Sequence, residues 1–482
     1  MIQPISATEE PLYMRIFHRM AKMIEQGALR PGDRVPSVRK LSRQEGVSIS
    51  TVLQAYVQLE AQGFIEARPQ SGFYVKPRLW RPPAEPAMSK PSTRATPVST
   101  SELTLNILKA VRDPRLVALG TAIPSPELLP LQQLNRMMAS IGRRDPSAGN
   151  SYDVPPGAPQ LRMQVARLAL DYGCLLSPEE IVSTTGCQEA LNLCLRAVAQ
   201  PGDTIAVESP TYYGILQIIG ALGMKALEIP THPRDGVSLD ALEYALDRER
   251  IKACLFTPTF QNPLGCSMPE ENRKRLVTML TTRGIPLIED DIYGDIAFGP
   301  ERPRAVKAFD TEGMVLLCDS FSKTLAPGYR VGWCAPGRYQ KTVEHLKFTT
   351  SIASATLPAL AIAEFLATGG YEHHLRKVRR VYAEQVRLMT EVIVRTFPDG
   401  TKVTRPQGGH VLWVEMPAKV DSLDLFHRAL AAKISIAPGI LFSAKQKYRN
   451  CMRLNCGTPW CKAVEDALAT LGMLVTKQAR QA

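Results

Sequence analysis

The segment Asp319-Ser-Phe-Ser-Lys-Thr-Leu-Ala-Pro-Gly-Tyr-Arg330 holds the residues best suited to covalent chemistry. Lys323 lies between hydroxyl side chains, seven residues before an arginine. A lysine held in a pocket can have a lowered pKa and form a Schiff base with an aldehyde. Ser320, Ser322 and Arg330 carry donor groups suited to holding a phosphate. The segment therefore predicts a reactive lysine beside an anion, although a Ser/Lys loop after a strand is also common without any such function.

Two further segments offer polar groups that could act on a bound heterocyclic ring. Asp290 and Tyr293 follow a strand-like run, and a buried carboxylate beside a pyridine nitrogen keeps that nitrogen protonated. Asn262, in Phe-Gln-Asn-Pro-Leu-Gly (260–265), could hydrogen-bond a ring hydroxyl. Each has a plain alternative, because an acidic strand end is often a solvated loop and Asn-Pro-x-Gly is ordinary turn chemistry.

Two more segments could hold the phosphate and the ring. Residues 185–191 have the pattern of a strand, a turn and a helix, so the amides near Cys187 and Gln188 could bind a phosphate at the helix N-terminus. Tyr212, in Ser-Pro-Thr-Tyr-Tyr (209–213), could stack on a planar ring, or it could be an aromatic residue of the core.

These residues follow short apolar runs that alternate with helical patterns from about residue 103 to the end. The strand-like runs are 181–183, 204–207, 253–256, 286–288 and 314–318. Their spacing predicts a mostly parallel sheet flanked by helices. Ligands of such sheets collect at the carboxyl ends of the strands, where the residues above are found.

The N-terminal region has a different pattern. Apolar spacing predicts a helix over 11–27 and two shorter helices joined at Gly46, the first capped by Ser37 and the second by Ser48 or Ser50. A hairpin over 64–75 follows. Together these elements predict a winged helix-turn-helix.

The chemistry of this region suits DNA. The third helix begins with small polar residues that could approach base edges, and arginines lie where they could reach phosphates. The predicted DNA contacts are Ser48, Ser50, Thr51, Gln54, Arg34, Arg39 and Arg68. The alternative is a three-helix protein-binding module with a solvated basic face.

Composition narrows the class of protein. The 482 residues carry 58 Lys and Arg against 46 Asp and Glu, a net charge of +12. Residues 1–81 hold 12 basic and 7 acidic residues, which gives 12 − 7 = +5 and favours a nucleic-acid partner. Neither a transmembrane run nor a secretory signal is evident. The ten cysteines therefore indicate free thiols in a cytoplasmic protein, and the five-residue steps at Cys451, Cys456 and Cys461 do not match a zinc site.

Residues 77–102 separate the two regions. They hold six prolines and seven Ser or Thr residues, with neither a helical nor a strand period. This composition predicts an extended, semi-rigid linker with a span of about 80 Å. The predicted domains are 1–76, the linker 77–102, and 103–482, the last with a large part at about 136–350 and a small part at about 351–482.

The N-terminal region resembles the GntR-type DNA-binding domain. The resemblance rests on Pro-Gly-Asp-Arg-Val-Pro-Ser-Val-Arg-Lys-Leu-Ser (31–42), Val-Ser-Ile-Ser-Thr-Val (47–52) and residues 63–75. It implies that Arg39 and the Ser48–Thr51 turn contact DNA, and that Gly72 forms the tip of the wing.

Residues from about 103 to 475 resemble the fold-type I pyridoxal-phosphate enzymes of the aminotransferase superfamily. The resemblance implies that Lys323 forms the internal aldimine, Asp290 pairs with the pyridinium nitrogen, and Tyr212 stacks on the ring. Asn262 and Tyr293 would bond the phenolic oxygen of the ring. The implied phosphate ligands are Cys187, Gln188, Ser320, Ser322 and Arg330, with Tyr152 reaching the site of the partner subunit. Arg453 would hold a substrate carboxylate. Cys187 departs from the pattern, since a serine or alanine is common at that position.

The two regions together resemble the MocR-type transcriptional regulators. This resemblance implies a head-to-tail homodimer that binds operator DNA and senses pyridoxal 5'-phosphate or a small amino compound. The alternative is an aminotransferase, acting on an amino acid and a 2-oxo acid, with an accessory DNA-binding domain. A third interpretation is a cofactor-binding scaffold with neither activity.

Overall fold

The structure is a computed structural model, and it describes residues 11–25, 28–29, 32–61, 64–68, 71–76, 82–98, 113 and 115–481. The chain divides into two compact units, Met1–Pro82 and Pro83–Ala482.

The first unit is a three-helix domain with a β-hairpin. Its elements are α1 (Leu12–Glu25), α2 (Val38–Glu45), α3 (Ile49–Ala61), β1 (Ile65–Arg68) and β2 (Gly72–Val75). Ser37 caps α2 by accepting a hydrogen bond from the Lys40 amide at 3.3 Å, and Gly46 ends it in the left-handed region at φ 66°. The two strands are antiparallel, with Ile65 opposite Val75. The predicted winged helix-turn-helix is confirmed.

The second unit is built on a nine-stranded sheet. In spatial order its strands are β3 (Thr96–Pro97), β7 (Lys225–His232), β6 (Thr204–Ser209), β9 (Ile251–Phe256), β10 (Leu287–Asp290), β11 (Val315–Ser320), β12 (Gly332–Ala335) and β5 (Val182–Thr184), and β8 (Gly236–Val237) pairs with β7. The five central strands from β7 to β11 are parallel, whereas β12 is antiparallel to both of its neighbours. Residues 253–256 are fully buried, as expected for a strand covered on both faces.

Helices cover this sheet and continue into a smaller C-terminal part. They are α4 (Leu131–Arg144), α5 (Pro159–Asp171), α6 (Cys187–Val198), α7 (Tyr213–Ala221), α8 (Leu239–Leu246), α9 (Glu270–Thr282), α10 (Gln340–Ser351), α11 (Thr356–Ala367), α12 (Gly370–Thr396), α13 (Ser422–Ala431) and α14 (Lys462–Gln481).

The smaller part holds a second, antiparallel sheet. Its strands in order are β13 (Lys402–Val403), β14 (Val411–Glu415), β17 (Cys451–Asn455) and β16 (Ala437–Pro438), and a short parallel pair joins β15 (Ile434–Ser435) to β4 (Val117–Ala118). Trp413 of β14 packs edge-on against Phe442 in its core. The predicted α/β architecture with a large and a small part is confirmed.

Residues 83–98, which fall in the predicted linker, belong to the second unit. Thr96 pairs with Ala226 at the edge of the large sheet. The Thr231 amide donates to Ser89 Oγ at 2.8 Å, and Arg234 Nε donates to Glu85 Oε2 at 2.6 Å. These contacts hold the described part of the predicted linker on the second unit.

Candidate functional site

A cavity of about 200 Å³ opens where the predicted cofactor residues converge at the carboxyl ends of the strands. Asp290 ends β10, Ser320 ends β11, and Cys187 begins the helix that follows β5. Ten of the residues predicted from the sequence line this one cavity: Cys187, Gln188, Tyr212, Asn262, Asp290, Tyr293, Ser320, Ser322, Lys323 and Arg330.

The lysine amine lies inside the cavity and is held by the backbone. Lys323 Nζ donates a hydrogen bond to the Ala122 carbonyl oxygen at 2.6 Å. Burial, together with the nearby charges of Arg453 and Arg330, lowers the pKa of Lys323 to about 8. About a tenth of this amine is therefore neutral at pH 7, far more than for an ordinary lysine, and the neutral form is the one that attacks a carbonyl carbon.

The Asp290 carboxylate, which lines the same cavity, is buried. Cys187 Sγ donates to Asp290 Oδ1 at 3.4 Å, and the Ile292 amide donates to the same oxygen at 3.3 Å. Burial raises the pKa of Asp290 to about 6. A carboxylate with few partners in an apolar setting gains most from a cationic group placed beside it.

One end of the cavity has the geometry of an anion site. Gly186, at φ 83°, immediately precedes α6, whose first two residues, Cys187 and Gln188, line the cavity. Arg330 Nη2 donates to the Thr185 carbonyl at 3.0 Å, and its Nη1 donates to Ser322 Oγ at 3.4 Å. A helix N-terminus beside a guanidinium is well suited to a phosphate dianion.

An aromatic side chain forms a wall of the cavity. A Cβ atom placed on Gly214 would lie 2.3 Å from the ring of Tyr212, so that ring packs directly over the glycine backbone. The rings of Tyr212 and Tyr213 lie 4.8 Å apart at a tilt of 49°. A flat aromatic surface of this kind can cover one face of a planar ring.

Arg453, which is predicted to bind a substrate carboxylate, lies next to the cavity. Arg453 is fully buried, and its Nη1 donates to Asn262 Oδ1 at 3.3 Å while Nη2 donates to the Gly120 carbonyl. Its Nε is buried with no partner among the described residues. Burial raises the pKa of the neighbouring Tyr293 phenol above its ordinary value.

These observations fit pyridoxal phosphate. The cavity supplies an anion-binding end, an aromatic wall, an amine of lowered pKa and a buried carboxylate. The roles of the individual residues in binding it remain predictions.

Some residues that line the cavity were not predicted from the sequence, and one predicted residue, Tyr152, lies outside the cavity. Thr121, Ala122 and Ile123 contribute to the cavity, but the segment has neither a periodic pattern nor an ionisable group that could have signalled it. Tyr213 also lines it, beside the predicted Tyr212. Tyr152 is 78% exposed and outside the cavity, a position compatible with its predicted reach into a partner subunit.

The predicted DNA contacts fall on two surfaces of the first unit. Ser48 Oγ caps α3 by accepting from the Thr51 amide at 3.1 Å, and it also hydrogen-bonds Ser50 and Thr51. This leaves Ser50 and Gln54 exposed on the helix, with Arg39 exposed on α2.

The remaining predicted contacts lie at the wing. The Arg34 guanidinium lies 3.3 Å from where a Cβ on Gly72 would be, and the Arg68 guanidinium covers the ring of Tyr74 at 4.5 Å.

Family models match both parts of the chain. Residues 127–467 match the aminotransferase class I and II model, and residues 12–75 match the gntR family of bacterial regulatory proteins. No helix within the described ranges has the length and apolar character to cross a membrane.

Relatives include regulators and aminotransferases. The chain is 40% identical to the uncharacterized HTH-type transcriptional regulator YjiR of Escherichia coli, over 96% of this chain and 98% of that protein. It is 33% identical to the 2-aminoadipate transaminase of Thermus thermophilus, over 76% of this chain and 91% of that protein.

Among solved structures, the fold is similar to that of LysN, the α-aminoadipate aminotransferase of Thermus thermophilus, in complex with N-(5'-phosphopyridoxyl)-L-leucine. The TM-score is 0.74 at 30% identity, with 80% of this chain and 96% of that chain covered.

Proposed function

The chain belongs to the aminotransferase class I and II family and carries a DNA-binding domain of the gntR family; from this we propose that its aminotransferase-like part binds pyridoxal 5'-phosphate at Lys323 and senses the cofactor or an amino-acid-like effector. The observation that carries the proposal is the convergence of Lys323, Asp290 and Arg330 on one cavity of a chain that also has a winged helix-turn-helix. In this proposal the cavity senses the cofactor or effector, and the result is a change in transcription.

Each residue has a distinct task in this proposal. Lys323 Nζ holds the cofactor as a Schiff base, Arg330 and the N-terminus of α6 hold its phosphate, and Asp290 holds a proton on its ring nitrogen. When bound, the cofactor supplies an electrophilic carbon for amines and an electron sink. Asn262 and Tyr293 orient the ring by hydrogen bonds, and Tyr212 covers one face.

The effector end of the cavity takes a carboxylate in this proposal. Arg453 keeps a buried Nε with no described partner, next to Asn262 at the cavity. A guanidinium can bind a carboxylate through two parallel hydrogen bonds, so amino acids and related amines are the effector class. The protein acts on operator DNA as a homodimer, with the two chains arranged head to tail.

Two measurements test the cofactor assignment. Borohydride reduction of the loaded protein should fix the cofactor to the peptide that contains Lys323, as read by mass spectrometry, and Lys323→Ala should lose the visible absorbance of the Schiff base. Labelling of another lysine would contradict the assignment. Lys347→Ala is a suitable control, because Lys347 is also buried but pairs with Glu189.

Binding to a pool of genomic fragments tests the regulator function. At physiological salt and with competitor DNA, the loaded protein should retain a few fragments with a Kd of about 10⁻⁸ M or tighter. Weak, uniform and salt-sensitive binding would mean phosphate contacts only. The aminotransferase alternative would then be favoured, and sustained turnover of an amino acid with a 2-oxo acid would support it.

A further inference from the structure

The exposed face of α3 carries an apolar stripe. Ile49, Leu53 and Val57 are 53%, 46% and 54% exposed, and they follow one another at four-residue steps, which places them on one face of the helix. The opposite face is fully buried through Val52, Ala55, Tyr56 and Leu59. The stripe is not part of the core that the described residues of this unit form, so packing among those residues does not explain it.

The same helix has no ionic side chain near its start. The 13 residues from Val47 to Leu59 contain neither an acidic nor a basic residue, and the polar groups beside the stripe are Ser50, Gln54 and Gln58. The second helix of a helix-turn-helix motif lies in the major groove, with its N-terminal residues at the base edges. Arg and Lys are the residues that most often read guanine there, and this helix has none.

The surroundings of the stripe favour DNA over an apolar protein surface. Residues 1–81 carry 12 basic and 7 acidic residues, a net charge of +5. Arg39 on α2, and Arg34 and Arg68 at the wing, are exposed. This arrangement is complementary to a phosphate backbone.

We propose that Ile49 and Leu53 determine sequence specificity by packing against the 5-methyl groups of thymines in the major groove, while Gln54 hydrogen-bonds an adjacent adenine. Apolar side chains are the groups that recognise the thymine methyl, and the glutamine amide matches the N6 and N7 edge of adenine. Each operator half-site then has an A·T-rich centre. The inference rests on the DNA-binding function proposed above and specifies which base pairs the protein recognises.

The experiment removes the methyl groups and nothing else. Full-length, cofactor-loaded protein first selects its binding sequence from a random duplex library. Each thymine of the selected site is then replaced singly by deoxyuridine, and the Kd is measured for wild type, Ile49→Ala, Leu53→Ala and Val57→Ala. Val57 is the matched control, because it is equally exposed but lies two turns beyond Ile49 along the helix.

We expect at least one deoxyuridine per half-site to weaken wild-type binding about fourfold, the effect of exposing one buried methyl group. Ile49→Ala or Leu53→Ala should lose sensitivity to that same substitution, and Val57→Ala should keep it. Insensitivity of the wild type at every thymine, or a selected half-site centred on G·C pairs, would overturn the inference while leaving DNA binding intact. Failure to select any sequence would overturn both.

One outcome would show that the apolar stripe contacts a protein rather than DNA. If Ile49→Ala and Leu53→Ala weaken self-association without changing the selected sequence, the stripe is a contact between copies of the chain and the inference is wrong. Circular dichroism of each variant checks that the domain remains folded, as expected for substitutions at exposed positions.

Discussion

The backbone of Gly186 lies directly against the guanidinium of Arg330. A Cβ atom on Gly186 would be 2.5 Å from Arg330 Nη2, a distance that cannot be tolerated without displacing one of the two groups. Gly186 also has a φ of 83°, a conformation that L residues rarely adopt. The glycine therefore lets the arginine approach the N-terminus of α6, where the proposed phosphate site lies.

Gly186→Ala should impair cofactor binding beyond its effect on folding. The strained backbone should cost about 1–3 kcal/mol of stability, and displacement of Arg330 should weaken pyridoxal phosphate binding by about tenfold or more. Gly202→Ala is the matched control, because Gly202 has a φ of 91° but no atom within 4 Å of the place where its Cβ would lie. Thermal unfolding and a cofactor titration measure the two effects. Equal loss of affinity in both variants would show that strain alone is responsible.

The lowered pKa of Lys323 predicts the pH dependence of cofactor capture. The neutral amine is the reactive form, so the capture rate should rise about tenfold per pH unit up to about pH 8 and then level off. An ordinary lysine would keep rising to above about pH 10. The rate is measured by absorbance beside that of a free lysine derivative, whose rate carries the same titration of the cofactor. The ratio of the two rates should be constant below about pH 8 and fall above it, because only the free amine continues to deprotonate there.

Arg453→Gln tests the origin of this shift. Its positive charge lowers the pKa of Lys323, so removing it should move the levelling point to higher pH. Arg338→Gln removes an exposed arginine that does not line the cavity, and it should leave the profile unchanged. An unchanged profile in Arg453→Gln would assign the lowered pKa of Lys323 to burial and Arg330.

The sequence predicted the cofactor cavity better than the full set of strands in the sheet. Parallel strands bring their carboxyl ends together at one edge of a sheet. Short apolar runs followed by polar residues were therefore sufficient to predict which residues line the cavity. The strand β7 was missed because Pro230 and a mixture of polar residues hide its period. Gly186 and Gly214 were not recognised as close-approach positions, since contacts with Arg330 and Tyr212 depend on tertiary packing. The docking of residues 83–98 likewise depends on partners such as Thr231 and Arg234.

The ion pair between Glu85 and Arg234 should protect this docked segment from proteolysis. Glu85→Gln removes a charge-assisted interaction at the surface, so local opening and tryptic cleavage after the exposed Arg94 should increase about two- to fivefold. Glu127→Gln, at an exposed carboxylate, should have no such effect. Cleavage at the same rate in both variants would mean that the backbone contacts to Thr231 and Ala226 are sufficient to hold the segment.

Variants of Tyr152 and Lys323 should complement each other when their subunits are mixed in one dimer. Tyr152 is 78% exposed and outside the cavity of its own chain, so a role at the phosphate requires a second subunit. Tyr152→Phe and Lys323→Ala each damage both sites of a homodimer. A mixed dimer, however, contains one site with an intact Lys323 and an intact Tyr152 supplied by the other chain.

Mixing the two variants after gentle dissociation should therefore restore tight cofactor binding at up to one site per mixed dimer, measured as cofactor retained after gel filtration. Mixing each variant with itself is the control. Tyr152→Phe homodimers that bind the cofactor as tightly as the wild type would remove Tyr152 from the site. Weakened binding that mixing does not restore would instead place its effect within its own chain.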